Sequence, residues 1–494
     1  MRRFVLGTLQ RTILLALLSA SILLFFLFGV ATLNYNDFMY SIAPAIWARH
    51  VALYTDVPFV QAPLSILLLF ALTKLTGGVN IFLLARVLSI LMVLTAVLLP
   101  VRSTTKNGSL TTWVLYAALC LTNPFVNAAS QEIGNYALPL LCLSVSVVII
   151  EMRGSVTWRG FFACATIALA ASAKLYFVIL FPGILIMFFL YDKNVMSPTA
   201  IAACLAGFLV GCIPIWYFVL SDYQSFLKWN VYVYTLFLKA RAVEPATVLA
   251  KIGFFAFVMF IPVVCMITAE REEYRRTGNA DKIMGRQVLI AFACLMALSP
   301  VVVFNQYLGP AAFLLFLFSM PAPFSSRSIR DRYIFLSAVL LVFQSITTIR
   351  LTYNFFQNGE PDVLRVLRIQ AHASEIIGSQ YKCERKLYSA EPLFMLENNV
   401  KYPRELASGP FLLFLGRSAE LSKLGNEFEV TTSITRWNPD IVIWGYFLGS
   451  ESPGQDEVDR AVWNYAISRE FKIQSIGSID GKTIYLAYKA NCKS

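Results

Sequence analysis

The sequence predicts a polytopic α-helical membrane protein with a small α/β domain at its C-terminal end, on the outer face of the membrane. Three observations predict this. Of 494 residues, 57% are hydrophobic and only 14% charged, against roughly 45–50% and 25% in soluble domains. Apolar runs of membrane-crossing character recur between residues 12 and 349. Beyond residue 350 the chain turns charged and mixes strand-like with helix-like periodicity. The formal net charge of +12 would point to nucleic acid in a soluble chain, but the basic residues sit mostly in short loops between apolar runs. There they set orientation, so nucleic acid is excluded as a partner.

Arg2 and Arg3 precede an apolar run from Thr12 to Leu33 that has no small-residue cleavage pattern after it, so it reads as an uncleaved first span. Further spans are expected near 79–100, 110–122, 137–152, 159–173, 175–191, 197–219, 248–268, 287–304, 310–323 and 333–349, about eleven in all. The run 62–76 decides the topology. Treated as a non-spanning or re-entrant helix, it leaves most loop arginines and lysines on one side, including Arg271, Arg275, Arg276, Lys282 and Arg286. That side is the cytoplasm by the positive-inside rule, and it holds the N-terminus. The loops 34–61, 123–136, 220–247 and 305–309 then share the outer face with everything after Arg350. Residues 1–350 form the transmembrane domain and 351–494 a soluble domain. Without a eukaryotic targeting signal, the expected location is a bacterial inner membrane, with the tail in the periplasm.

In the tail, "GPFLLFLG", "EFEVTTSIT", "PDIVIWGYF" and "GKTIYLAYK" read as strands, and "DVLRVLRIQAHASEIIG" and "DEVDRAVWNYAISREF" as helices. Seven cysteines (Cys120, Cys142, Cys164, Cys204, Cys212, Cys265 and Cys294) lie in apolar runs and read as core residues. Cys383 and Cys492 bracket most of the tail, where an oxidising compartment allows a disulfide, and two separate thiols are the alternative. With only His50 and His372 present, a multi-histidine metal site is excluded.

Polar residues collect in the outer loops. Asp37 lies just past the first span, followed by Tyr40, Trp47, Arg49, His50, Tyr54, Asp56 and the turn "FVQAPL" that contains Gln61. Interfacial aromatics and a helix cap would account for this pattern, and so would a catalytic loop. Glu132 precedes the span at 137, and Lys174 stands between two short apolar runs, placed either to snorkel or to bind an anion. Lys228, Lys239 and Arg241, among Trp229, Tyr232 and Tyr234, make a basic and aromatic surface suited either to anchoring or to a lipid phosphate.

The aspartate beyond the first span, the small-residue and aromatic stretch after it and the "QAPL" step resemble the first outer loop of the GT-C glycosyltransferases. The branch most resembled is that of the protein O-mannosyltransferases and lipid A aminoarabinose transferases. Glu132 matches the second outer acid of that family, and "FNQYLGPAAFLLF", with Tyr307, resembles its Arg-Tyr-x-x-Pro segment. The likeness runs over roughly residues 10–320. It departs at Gln61-Ala62-Pro63, where the family has His, Lys or Asp with two prolines, and at Asn305 or Gln306, where it has a basic residue.

The resemblance implies inverting transfer of a sugar from a polyprenyl-phosphate donor to a hydroxyl of a glycan, lipid or protein at the outer face. Asp37 would be the base, and Glu132 would orient a substrate. Lys174, Lys228, Lys239 and Arg241 would hold the donor phosphate, and Tyr40, Asp56, Gln61 and Tyr307 would contact substrate. No cofactor is required: a phosphate leaves as a stable anion, so one base and cations on the phosphate suffice. A divalent metal is not predicted, although Asp37 with Glu132 offers oxygen ligands of the right hardness. A transporter or flippase of lipid-linked saccharide is the rival, but it should gather charge at the bilayer midplane, where only Arg86 stands.

Overall fold

The computed structural model describes residues 2–31, 43–44, 47, 52–76, 81–104, 110–131, 136–233, 235, 245–299, 305–319, 327–354, 361–380, 386–389, 400–404, 406, 429–445, 455–479 and 482–489. The apolar runs are helices: α1 (Arg2–Ala31), α2 (Pro63–Thr76), α3 (Ile81–Thr104), α4 (Leu110–Thr122), α5 (Pro124–Gln131), α6 (Ala137–Glu151) and α7 (Val156–Ala173). A 3-10 turn (Leu175–Ile179) leads into α8 (Leu180–Tyr191), followed by α9 (Pro198–Gly211), α10 (Ile213–Leu227), a π-helical turn (Lys228–Val233), α11 (Pro245–Thr277), α12 (Ala280–Leu298), α13 (Asn305–Ser319) and α14 (Arg327–Asn354).

Among the described residues, four helices are long and apolar enough to cross a membrane, or five if the bent pair α9 and α10 counts as one span. Of the other expected spans, 110–122, 137–152, 175–191, 310–323 and 333–349 overlap shorter apolar helices, and 287–304 begins within α12. At 14 residues, α2 reaches about 21 Å, short of the roughly 30 Å hydrocarbon core. Two expected loops prove partly helical. Asn123 caps α5 by accepting from the N–H groups of Phe125 and Val126, so 123–136 holds a helix. The stretch 220–247 begins as the end of α10 and the π turn.

The chain forms two compact units, one of residues 1–30, 87–216 and 242–353, the other of 31–86, 217–241 and 354–494. In the first, α7 and α9 pack backbone to backbone. A Cβ on Gly207 would lie 2.1 Å from the Phe161 carbonyl oxygen, and one on Gly211 2.2 Å from that of Ala165. Lipid supplies no hydrophobic drive between helices, so close approach through small residues and interhelical hydrogen bonds must hold them. Such bonds run from Ser172 Oγ to the Gly211 carbonyl (2.9 Å), Ser146 Oγ to the Ala163 carbonyl (2.9 Å) and Thr348 Oγ1 to the Thr122 carbonyl (2.8 Å). The seven cysteines of the apolar runs are free thiols; all are buried except Cys294, which is half-buried.

In the second unit, residues beyond 354 build a four-stranded sheet of β1 (Leu387–Ser389), β2 (Ile441–Trp444), β3 (Phe471–Ile479) and β4 (Lys482–Lys489), in the order β1-β2-β4-β3. Only the β1–β2 pair is parallel. β2 is flanked by strands on both sides, and all four of its residues are buried, which is why it reads as a continuous apolar run. α15 (Asp362–Gln380) and α17 (Gln455–Ser468) are the two helices the sequence predicts. The strand expected in "EFEVTTSIT" is instead α16 (Val430–Trp437). Its Val430, Ser433 and Ile434 are buried at helical spacing, and Asn438 in the left-handed conformation ends it. Tertiary burial overrides the β propensity of its threonines. "GPFLLFLG", Cys383 and Cys492 lie outside the described residues.

Candidate functional site

In the first unit, α7 stops at Ala173, and Lys174 adopts an extended conformation (φ −151°, ψ 107°) before the 3-10 turn. This break swings the side chain out of the helical stack. Lys174 is 4% exposed, so it does not snorkel to a surface. Its Nζ lies 5.3 Å from the ring centroid of Tyr136 and 5.7 Å from that of Tyr176. The Tyr176 hydroxyl donates to that of Tyr136. Tyr307, in the first turn of α13, completes the cluster, with ring centroids 5.7 Å from Tyr136 and 5.2 Å from Tyr176.

Two phenol rings thus flank one ammonium, and a third packs against both of them. Withdrawing a charge from water costs several kcal/mol, and a desolvated ring face returns about 2 kcal/mol. Such a position strengthens the attraction for an arriving anion, because water does not screen it. Of the residues expected to bind substrate or phosphate, Lys174 and Tyr307 are brought together here. Tyr136 and Tyr176 were not singled out as site residues: Tyr176 lies two residues from Lys174, but only the fold brings positions 136 and 307 to it.

In the second unit, residues 52–61 are fastened to α10 and the turn after it. Tyr54 is buried with a positive φ of 71°, a conformation a bulky side chain adopts only under constraint. Its hydroxyl donates to the Gln61 carbonyl (2.7 Å), its own carbonyl accepts from Trp229 Nε1 (2.9 Å), and its ring packs edge-on against Phe218 and Phe226. Burial pushes the Tyr54 phenol up, a hydrogen bond with Asn230 opposing, so it remains a neutral donor at physiological pH. Thr55 Oγ1 donates to Asp222 Oδ2 (2.9 Å), where Asp222 interrupts α10 with extended backbone angles.

Tyr54 and Trp229, for which the sequence leaves open either interfacial anchoring or a substrate-facing surface, are buried fasteners. Asp56 closes its own turn by accepting from the Ala52 N–H (2.9 Å), and Gln61 contributes its backbone carbonyl to Tyr54. Lys228 is exposed, 5.0 Å over the Trp229 ring. Tyr54→Phe, which leaves the Gln61 carbonyl without this donor, is expected to destabilise by about 1–3 kcal/mol. A thermal melt unchanged from wild type would refute the fastening role.

Asp37, Tyr40, Glu132, Lys239 and Arg241 lie outside the described residues. Among the described residues, no group of three His, Cys, Asp or Glu side chains lies close enough to hold a metal ion.

No protein-family model and no curated protein matches the chain. Nine chains of solved structures match, two of them ArnT from Cupriavidus metallidurans. ArnT bound to undecaprenyl phosphate superposes with a TM-score of 0.60 at 11% identity, covering 96% of this chain and 97% of that one. The apo state gives 0.59 at 12% identity, covering 97% and 98%. The resemblance to the aminoarabinose transferase branch, read above from short motifs, is thus found in the fold of nearly the whole chain.

Proposed function

We propose that this chain, which has the fold of ArnT, is a membrane glycosyltransferase that moves a sugar from a polyprenyl-phosphate donor to an acceptor hydroxyl, with inversion, at the outer face of a bacterial inner membrane. The observation that carries the reading is a cation buried among tyrosines, Lys174, in a fold whose solved example is bound to undecaprenyl phosphate. In this reading Lys174 takes a phosphate oxygen of the donor, and Tyr136, Tyr176 and Tyr307 shape the surroundings of that phosphate. Lys228, Lys239 and Arg241 assist from the basic surface.

Asp37 takes the proton of the acceptor hydroxyl as its oxygen bonds to the anomeric carbon. The bond from that carbon to the phosphate oxygen breaks, and polyprenyl phosphate leaves with the electron pair. Glu132 orients a substrate sugar. Because the leaving group is already an anion, no second carboxylic acid need protonate it, unlike glycoside hydrolysis.

The test is transfer by purified protein in lipid, supplied with radiolabelled polyprenyl-phosphate sugars and a cell-envelope extract already shown to serve as acceptor for another transferase. Label moving from at least one donor is the expected result. No transfer from any of them overturns the reading in favour of a transporter.

A further inference from the structure

At one end of the first unit, α11 and α12 form a hairpin: the Gly278 N–H donates to the Tyr274 carbonyl (2.7 Å), and Asn279 caps α12 by accepting from the Lys282 N–H. A cavity of about 500 Å³ opens between the two helices, lined by Ile267, Glu270, Arg271, Tyr274, Arg275 and Met284 among others. None of these residues belongs to the site described above.

Its chemistry is mixed in a particular way. Glu270 is 4% exposed; Oε2 accepts from Gln287 Nε2 (2.9 Å), whereas Oε1 has no hydrogen-bond partner. A buried carboxylate oxygen left so is costly, and a donor arriving from the cavity would relieve it after a turn about the terminal torsion. Among the described residues, Glu151, Glu270 and Glu273 share the cations Arg286 and Lys282, and Arg286 is committed to Glu273 (2.6 Å) and Tyr191 (2.7 Å). Arg271 directly follows Glu270 in the helix, and adjacent residues do not face each other. It and Arg275, four residues on, are exposed, and Arg275 Nη1 donates to Glu272 Oε1 (3.1 Å).

The approach to the cavity is apolar. Phe257, Phe260, Val264 and Ile267 are exposed at helical spacing along α11, and the same stripe continues into Arg271 and Tyr274. An apolar stripe ending in an arginine and a tyrosine has the profile of a membrane boundary. We propose that this cavity seats the headgroup of an aminophospholipid, with its ammonium toward Glu270, its phosphate on Arg271 and Arg275, and its chains along the α11 stripe. The amine and phosphate of one headgroup match an acid flanked by two arginines. An anionic headgroup satisfies the arginines alone.

The test uses the full-length protein extracted from vesicles of equal parts phosphatidylethanolamine and phosphatidylglycerol, with retained lipids counted by native mass spectrometry. Wild type is expected to retain phosphatidylethanolamine by roughly tenfold over phosphatidylglycerol. Phosphatidylcholine, whose ammonium has no N–H, is expected to replace it poorly. Glu270→Gln should remove the preference and Glu270→Asp keep it. Arg271→Ala with Arg275→Ala should lower retention of both lipids, and it remains informative if Glu270→Gln does not fold. Equal retention of the two lipids by wild type, or retention unchanged in the arginine variant, overturns the proposal. Full displacement by equimolar soluble phosphoethanolamine also overturns it, because the lipid chains would then contribute nothing. Sugar transfer plays no part in the readout, so the site and the enzymatic reading fail separately.

Discussion

Gly207→Val is expected to abolish accumulation of folded protein. A Cβ at this position meets the Phe161 carbonyl oxygen at 2.1 Å, its carbon at 2.8 Å and its Cα at 3.0 Å. All three are backbone atoms of α7, so no rotamer change clears them, and α7 and α9 must move apart. Separation also pulls at Gly211, whose hypothetical Cβ is 2.2 Å from the Ala165 oxygen and 2.6 Å from Ala168 Cβ, and at the Ser172 bond to the Gly211 carbonyl. At Gly160 an added Cβ would meet a side chain instead, Cys204 Sγ at 2.7 Å. The loss should exceed the roughly 4–5 kcal/mol that marks exceptional substitutions. The check is the monodisperse peak in fluorescence-detected gel filtration of tagged protein. Gly253→Ala, where nothing lies within 4 Å of the added carbon, is the control. It should be neutral or stabilise by about 0.5–1 kcal/mol, since a mid-helix glycine lacks helix propensity. A normal peak for Gly207→Val would mean that α7 and α9 do not pack so closely.

This contact shows what the sequence discloses and what it withholds. Apolar runs announce the helices, because lipid demands long apolar segments with internally paired backbone. "GFLVG" is visible as a pair of glycines four apart, but nothing in it names Phe161 and Ala165 as the partners. The same holds for Lys174. Its isolation in an apolar stretch marks it as expensive, yet the Tyr136 ring beside it and the Tyr307 ring behind that one come from distant positions that only the packing of the fold brings to Tyr176. Asp56, expected from sequence to contact substrate, accepts from the Ala52 N–H through Oδ2, the local bond that short acids habitually make in turns and one that the residue type alone does not announce. The stretch 427–435 misleads because β-branched residues favour strands locally, while burial at positions 430, 433 and 434 selects a helix.

In the reaction proposed for this chain, Lys174→Met and Asp37→Asn are expected to damage sugar transfer in different ways. Methionine matches the lysine stem in length and polarity but carries no charge, so the tyrosines keep an apolar neighbour while the donor phosphate loses its ammonium. A hydrogen bond between charged groups contributes about 1.5–3 kcal/mol, and more where water is excluded. Donor affinity should therefore fall roughly 10- to 150-fold. Lys174→Arg should recover part of it, since the charge returns in a wider, planar form. Asp37→Asn leaves that charge in place and removes the proton acceptor, so donor binding should persist while turnover falls by about 10²–10⁴, the contribution of a positioned base. Titration of a labelled polyprenyl-phosphate sugar, alongside single-turnover transfer at saturating donor, separates the two effects. If Lys174→Met binds donor as wild type does, the lysine is a packing element and the phosphate is held elsewhere. If Asp37→Asn turns over undiminished, the enzyme stands but its base must be sought at another acid, Glu132 first.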